Sequence, residues 1–198
     1  MSALDRVAPA GTCCGTLSTA AGSMTTLTRA ELADYSAQYA HVVAGLPRWL
    51  AAAGPGDGRL QQHVGEELAH IELWDSFRQV VGGERDAVPN STTESLVSMC
   101  DGLAAAGHRL AVAWAIEVQA PAVAREQLVG LAEHYAIDAN SEGQDFEVHS
   151  WQDLAHADQL RAEMKSQSAE FTVADVADAE AVSAGIWALL SSVEARAW

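Results

Sequence analysis

Apolar side chains recur at three- and four-residue spacings along most of this chain, and no stretch shows the alternation of period two that a half-buried strand needs. The pattern divides into seven segments. Thr28-Arg29-Ala30-Glu31 has the form of a capping box and opens a helix that runs to about Gly45, with Pro47 as its breaker. Gly54-Pro55-Gly56-Asp57-Gly58 reads as a turn, and a second helix follows over Arg59 to Val81, stopped by Gly82-Gly83. Ser91-Thr92-Thr93-Glu94 caps a third helix to about Ala106, a fourth covers His108 to Ala120 and meets Pro121, and a fifth runs from Ala122 to Tyr135. Ser141-Glu142-Gly143-Gln144 is again a capping box and starts a long sixth helix. The last runs from Val173 towards the C-terminus with Val176, Ile186, Leu189, Leu190 and Val193 in step. The expected class is all-α.

Residues 1–27 are rich in Ser, Thr, Gly and Ala without helical periodicity, which predicts a flexible tail followed by one helical domain over 28–198. A length of 198 residues suits one core. The formal charge of −16 argues against nucleic acid and anionic membranes as partners, since the attraction to phosphate is missing. Cys13 and Cys14 are adjacent and Cys100 stands alone, so neither a disulfide framework nor zinc spacing is present, and a cytoplasmic location is expected. Met1 to Arg6 lacks the form of a signal peptide, and the apolar run from Leu103 to Val118 is interrupted by His108, Arg109 and Glu117, as in a buried helix rather than a membrane span.

Three sets of polar residues sit where apolar ones are expected. In Val64-Gly65-Glu66-Glu67-Leu68-Ala69-His70, Glu67 and His70 are i, i+3 neighbours, with His63 one turn earlier and Trp74 and Phe77 further along the same stripe. A solvated face is the plain alternative, because Glu66 and Glu72 are also there. Glu117 is the only ionisable residue of Leu110 to Val118, a segment apolar nearly all round. A carboxylate buried there needs a cationic partner, which a metal ion, an Arg or a His would supply. The third set is His149, Asp153 and His156, at i, i+4 and i+7. At 100° per residue these side chains fall within about a 60° arc. Together the sets offer carboxylates and imidazoles without thiolate, which suits iron or manganese, and two ions more naturally than one.

The runs Ala115-Ile116-Glu117-Val118-Gln119-Ala120-Pro121, Gly130-Leu131-Ala132-Glu133-His134-Tyr135 and Phe146-Glu147-Val148-His149, with Asp153 and His156, resemble the haem-oxygenase-like di-iron oxidases. That group includes the chlamydial death-domain-associating protein and its relatives, and shares its fold with the TenA and PqqC families. Glu66 to Trp74 resembles the group's first metal-binding helix, and the similarity covers about residues 28–195. The resemblance implies a seven-helix bundle holding two Fe(II) ions, with manganese as an alternative, that activate dioxygen. The ligands it implies are Glu67, His70, Glu117, His149, Asp153 and His156. Glu66, at i, i+4 from His70, and His63, where some relatives carry the first carboxylate, are alternatives to Glu67. Ile116 stands where an aromatic often precedes the buried Glu, which bears on pocket shape.

The implied activity is desaturation, N-oxygenation or C–C or C–N cleavage of a small molecule such as an amino acid, a fatty acid or a biosynthetic intermediate, with an external electron donor; helical surface on the remaining elements would support a homodimer. Rival readings are a cofactor-free TenA-like enzyme, which needs a pocket cysteine, and a haem oxygenase, for which His41 would be the candidate ligand. A ferritin-like protein would use two Glu-x-x-His motifs, and a non-catalytic binding protein of the same fold would need no ligands at all.

Overall fold

The computed structural model describes residues 27–51, 58–167 and 172–194. The expected tail up to residue 26, Cys13 and Cys14, and nearly all of the expected turn at 54–58 lie outside them. Leu27, the last residue of that tail, is buried, and its carbonyl accepts a hydrogen bond from the Tyr135 hydroxyl.

The regular structure of the described residues is all helical, in eight segments. These are α1 (Arg29–Ala51), α2 (Gly58–Val81), α3 (Ser91–Ala105), α4 (Arg109–Glu117), α5 (Ala120–Tyr135), α6 (Gln144–His149), α7 (Gln152–Gln167) and α8 (Val173–Glu194). Because α6 and α7 are the halves of the expected sixth helix, the bundle is the anticipated seven-helix one with a single interruption. At Ser150-Trp151 the backbone leaves the α ladder: Ser150 N–H still bonds Phe146 C=O, but Trp151 N–H turns to Val148 C=O.

The helix ends follow local chemistry. Thr28 and Glu31 form the capping box reciprocally, side chain to backbone in both directions. Gly82, at φ 83°, closes α2, and Gly83 N–H returns to Arg78 C=O as in a Schellman motif. Three expectations are corrected. Helix α1 does not stop at Gly45 but carries Pro47 internally to Ala51. The missing bond costs about 3 kcal/mol, and burial of Leu46, Trp49 and Leu50, at about 1.5–3 kcal/mol each, offsets it. The cap of α3 is Asn90, whose side chain accepts from Thr92 N–H and Thr93 N–H, so Ser91 is already helical. Ser141-Glu142-Gly143-Gln144 forms no capping box. The Asp138 carbonyl takes the N–H groups of Ser141 and Gly143 in a turn, and α6 starts only at Gln144.

Helix α4 is the axis of the bundle. Every residue from Leu110 to Glu117 is buried, and the helix touches α1, α3, α5, α7 and α8. Helix α8 is long and apolar enough to cross a membrane by length and composition alone. Here it packs as a core helix against α3 and α4, with Ala179, Val182, Ile186, Leu189, Leu190 and Val193 forming its buried stripe. An aromatic wall of Tyr35, Tyr39, Trp74, Phe77 and Phe146 joins α1, α2 and α6, with neighbouring rings 4.8–5.7 Å apart. The Trp74 indole N–H donates to Ser36 C=O.

Candidate metal centre

On α2 Leu60, His63, Glu67, His70, Trp74, Phe77 and Val81 form a buried stripe, a repeat of three and four that faces the core, with Arg78 buried beside it. Three of these core positions are polar. Helix α4 brings Glu117 to meet them, and α6 and α7 bring Asp145, His149, Asp153 and His156. All are buried except His149, which is half-buried. Each of the six ligands expected from the sequence is therefore in one cluster, with His63 and Asp145 beside them.

The cluster has two lobes. In the first, His63, Glu67, Glu117 and His156 each present a ligand atom within 4.8 Å of the others. His63 Nε2 lies 2.7 Å from Glu117 Oε1 and 3.5 Å from Glu67 Oε1, and His156 Nδ1 lies 3.4 Å from Glu117 Oε2. The His63 and His156 rings stack at 3.8 Å. In the second lobe, His70 Nδ1 lies 3.3 Å from Glu67 Oε2 and the His70 ring meets His149 at 4.4 Å. His149 is held between carboxylates, with Nδ1 2.8 Å from Asp153 Oδ2 and Nε2 3.6 Å from Asp145 Oδ1. Glu67 belongs to both lobes, one oxygen turned to each.

Burial works against charge at His63, but its hydrogen bond to Glu117 and the Glu67 carboxylate 3.5 Å away outweigh it and raise its pKa to about 9. Burial likewise opposes the proton on His149, and Asp145 and Asp153 overcome it to hold the ring protonated well above the usual range. For Asp153, burial and Glu117 push the carboxyl up to about 7 against the pull of His149. Glu67 is held ionised, far below the ordinary carboxylate range, because the neighbouring His63 and His70 imidazoles outweigh its burial. Protons on imidazoles thus do the work of cations among four buried carboxylates.

These protons leave part of the cluster unmatched. Glu67 Oε1, Glu117 Oε2, Asp145 Oδ1, Asp153 Oδ1 and His156 Nδ1 are buried without hydrogen-bond partners. Convergent orphaned oxygens and an imidazole nitrogen are the donor set of a site for hard or borderline divalent cations, and iron or manganese fits them. Glu66 is the exception among the alternatives. It accepts from His156 Nε2–H at 2.9 Å, which leaves Nδ1 as that ring's inward nitrogen.

Two residues that the rival readings would use lie apart from the cluster. Cys100 is buried outside the cavity beside the cluster, and burial pushes its thiol up to about 12, so it is no pocket nucleophile. His41 lies 3.0 Å through Nε2 from the Ala87 carbonyl, away from the cluster. Sequence reasoning placed His63 on the stripe but kept it only as an alternative to Glu67, and Asp145 it missed. The available signal was spacing, since Asp145 stands at i−4 from His149 as His63 stands at i−4 from Glu67.

No family model and no curated protein matches the chain. Among solved structures it is similar to a domain of unknown function with a haem-oxygenase-like fold from Shewanella denitrificans OS217. The two are 18% identical over 89% of this chain and 82% of the other, with a TM-score of 0.66. At that identity the likeness speaks for architecture alone: this chain has the haem-oxygenase-like fold.

Proposed function

We propose that this protein is a non-haem di-iron oxidoreductase that uses dioxygen to oxidise a small molecule. The observation that carries the reading is Glu67. Its Oε1 lies 3.5 Å from His63 Nε2 and 3.6 Å from His156 Nδ1, and its Oε2 lies 3.3 Å from His70 Nδ1, so this one residue would be able to serve both ions. His63, Glu117 and His156 would hold one ion, and His70, His149 and Asp153 the other, with Asp145 beside His149. Four carboxylates match the charge of two divalent ions, so a loaded site would be near neutral within the bundle. Two Fe(II) ions would supply the electrons and open coordination positions for dioxygen reduction, and with them desaturation, N-oxygenation or bond cleavage of the substrate.

The protein's own contribution is position and exclusion of water. Tyr35, Tyr39, Trp74 and Phe146 wall one side of the cavity that opens on the cluster, and Ile116, Ile186 and Leu190 wall another. Burial first, and then the nearby carboxylates of Asp153, Asp145, Glu117 and Glu67, keep the Tyr39 hydroxyl of this wall protonated.

Anaerobic titration of the chelator-treated chain with Fe(II) tests the reading. Saturation near two ions per chain, followed by oxygen uptake on exposure to air, is expected. Glu117→Ala and His149→Ala should each remove that uptake while the helical circular dichroism persists. Failure to bind any Fe(II) would sink the proposal.

A further inference from the structure

Asp145 lies in the first turn of α6, is 2% exposed, and its Oδ1 has no hydrogen-bond partner. His149 follows one turn later on the same face of the helix. A carboxylate stands at each nitrogen of that ring, at different distances. Nδ1 is 2.8 Å from Asp153 Oδ2, which is a hydrogen bond, and Nε2 is 3.6 Å from Asp145 Oδ1, which is too long for one. Donors about 2.1 Å from one ion stand about 3.0 Å apart at right angles and about 3.4 Å apart at the tetrahedral angle. Other pairs in the cluster have such spacings: 3.3 Å for His70 Nδ1 and Glu67 Oε2, 3.4 Å for His156 Nδ1 and Glu117 Oε2, and 3.5 Å for His63 Nε2 and Glu67 Oε1. The Asp145–His149 separation belongs with these.

We infer that Asp145 is a seventh ligand of the cluster, binding the second ion together with His149 Nε2, while Asp153 Oδ2 holds the Nδ1–H of the same ring. The inference rests on the two-ion reading. An imidazole binds a metal through one nitrogen, and its other N–H is held by a carboxylate or a carbonyl. Asp153 already occupies Nδ1 at hydrogen-bond length, so Nε2 is the nitrogen left for metal, and Asp145 is the carboxylate beside it. Asp153 Oδ1 has no hydrogen-bond partner and remains available to the cluster. Charge points the same way. The six residues expected from the sequence supply three carboxylates against the four positive charges of two divalent ions, and Asp145 supplies the fourth in a buried site where unmatched charge is costly. The competing use of this carboxylate, on the wall of the cavity, is to hold a guest there without touching metal.

Titration of the chelator-treated full chain with Co(II), followed by visible absorbance, counts the ions and ranks their affinities. The unaltered chain should bind two. Asp145→Asn keeps an oxygen that accepts a hydrogen bond and loses the charge that binds metal. It should hold one ion as tightly as before and the other more than about 100-fold more weakly, beyond the 10–100-fold that loss of a partner behind a ligand costs. Asp145→Glu, which retains the charge, should recover part of the loss. A folded Asp145→Asn chain that keeps both ions within about 100-fold would overturn the inference and leave the two-ion reading standing. Fewer than two ions on the unaltered chain would overturn both. A second measurement needs no variant: in the Zn(II)-loaded chain with ¹⁵N-labelled imidazoles, the His149 ring should keep its proton on Nδ1 and carry none on Nε2. A proton on Nε2 with Nδ1 ligated would overturn the assignment even if the Asp145 variants fail to fold.

Discussion

Glu66 and His156 are 90 residues apart in sequence, and the Glu66 carboxylate accepts from the His156 Nε2–H at 2.9 Å across the α2–α7 junction. Gln62 donates to the other oxygen of Glu66 one helical turn earlier, so the carboxylate is held from both sides. A carboxylate behind a metal-binding imidazole fixes its tautomer and raises its basicity. Glu66→Ala should therefore weaken the affinity of the first lobe by about 10–100-fold, measured by competition between Mn(II) and a calibrated chelator. Glu66→Gln retains an acceptor and should recover most of the loss. Unchanged affinity in the alanine variant would make the contact a surface ion pair and nothing more.

The shared position of Glu67 leads to a test of stoichiometry. His63→Ala removes a donor from one lobe and His70→Ala from the other, so each should retain about one tightly bound Fe(II). Glu67→Ala takes an oxygen from both lobes and should impair both ions at once. Should Glu67→Ala lose only one ion, the two-lobe division would be wrong.

The pH dependence of the metal-free chain follows from His63. Its folded pKa of about 9 exceeds the ordinary 6.5, so the stability it contributes is complete below about pH 6.5 and is lost as pH climbs through about 9. His149 and His156 are raised as well and act in the same direction. Asp153, raised to about 7, has by then lost its contribution, because that falls away between about 3.8 and 7. Glu67 is lowered, and its contribution is complete above about 4.5, so it does not vary in this window. Thermal melts of chelator-treated protein should show Tm falling from pH 6.5 to 9, with a shallower slope in His63→Gln. With saturating Mn(II) the trend should reverse, since metal competes with protons for the same atoms. A flat metal-free profile would contradict the raised imidazoles.

Close packing of α1 on α2 gives a prediction for the fold itself. A Cβ on Gly83 would collide with the Ser36 hydroxyl and stand 2.9 Å from the Ala33 carbonyl oxygen. Because the backbone of α1 is part of the obstacle, rotation of a side chain does not relieve it. Gly83→Ala should cost about 1–3 kcal/mol, read from urea midpoints at unchanged slope. Gly65→Ala, with no atom within 4 Å of the added Cβ, is the control and should be neutral or slightly stabilising.

Much of the architecture was legible because helix-forming patterns act locally. The start of α1 at Thr28 and the stop of α2 at Gly82 depend on groups within a few residues of each other. Pro47 defeated the same reasoning, since the burial that carries α1 past it is supplied by the rest of the bundle. Glu117 was the clearest sign of the site, because one carboxylate in an otherwise apolar helix demands a partner. His63 and Asp145 were harder to assign. Their spacing put them on the right faces, but only the junction of α2, α4 and α6 brings them beside the other donors. Glu66 and Glu67 are adjacent in sequence and about 100° apart around the helix, and the packing of α7 decides which of them faces inward.

The interruption at Ser150-Trp151 divides one wall of the site between two short rods. Asp145 and His149 ride on the first, Asp153 and His156 on the second. A single stiff helix would translate any shift at one end into a shift at the other. The break instead gives Asp145 and His149 a direction of approach independent of the one that the Glu66 contact sets for His156.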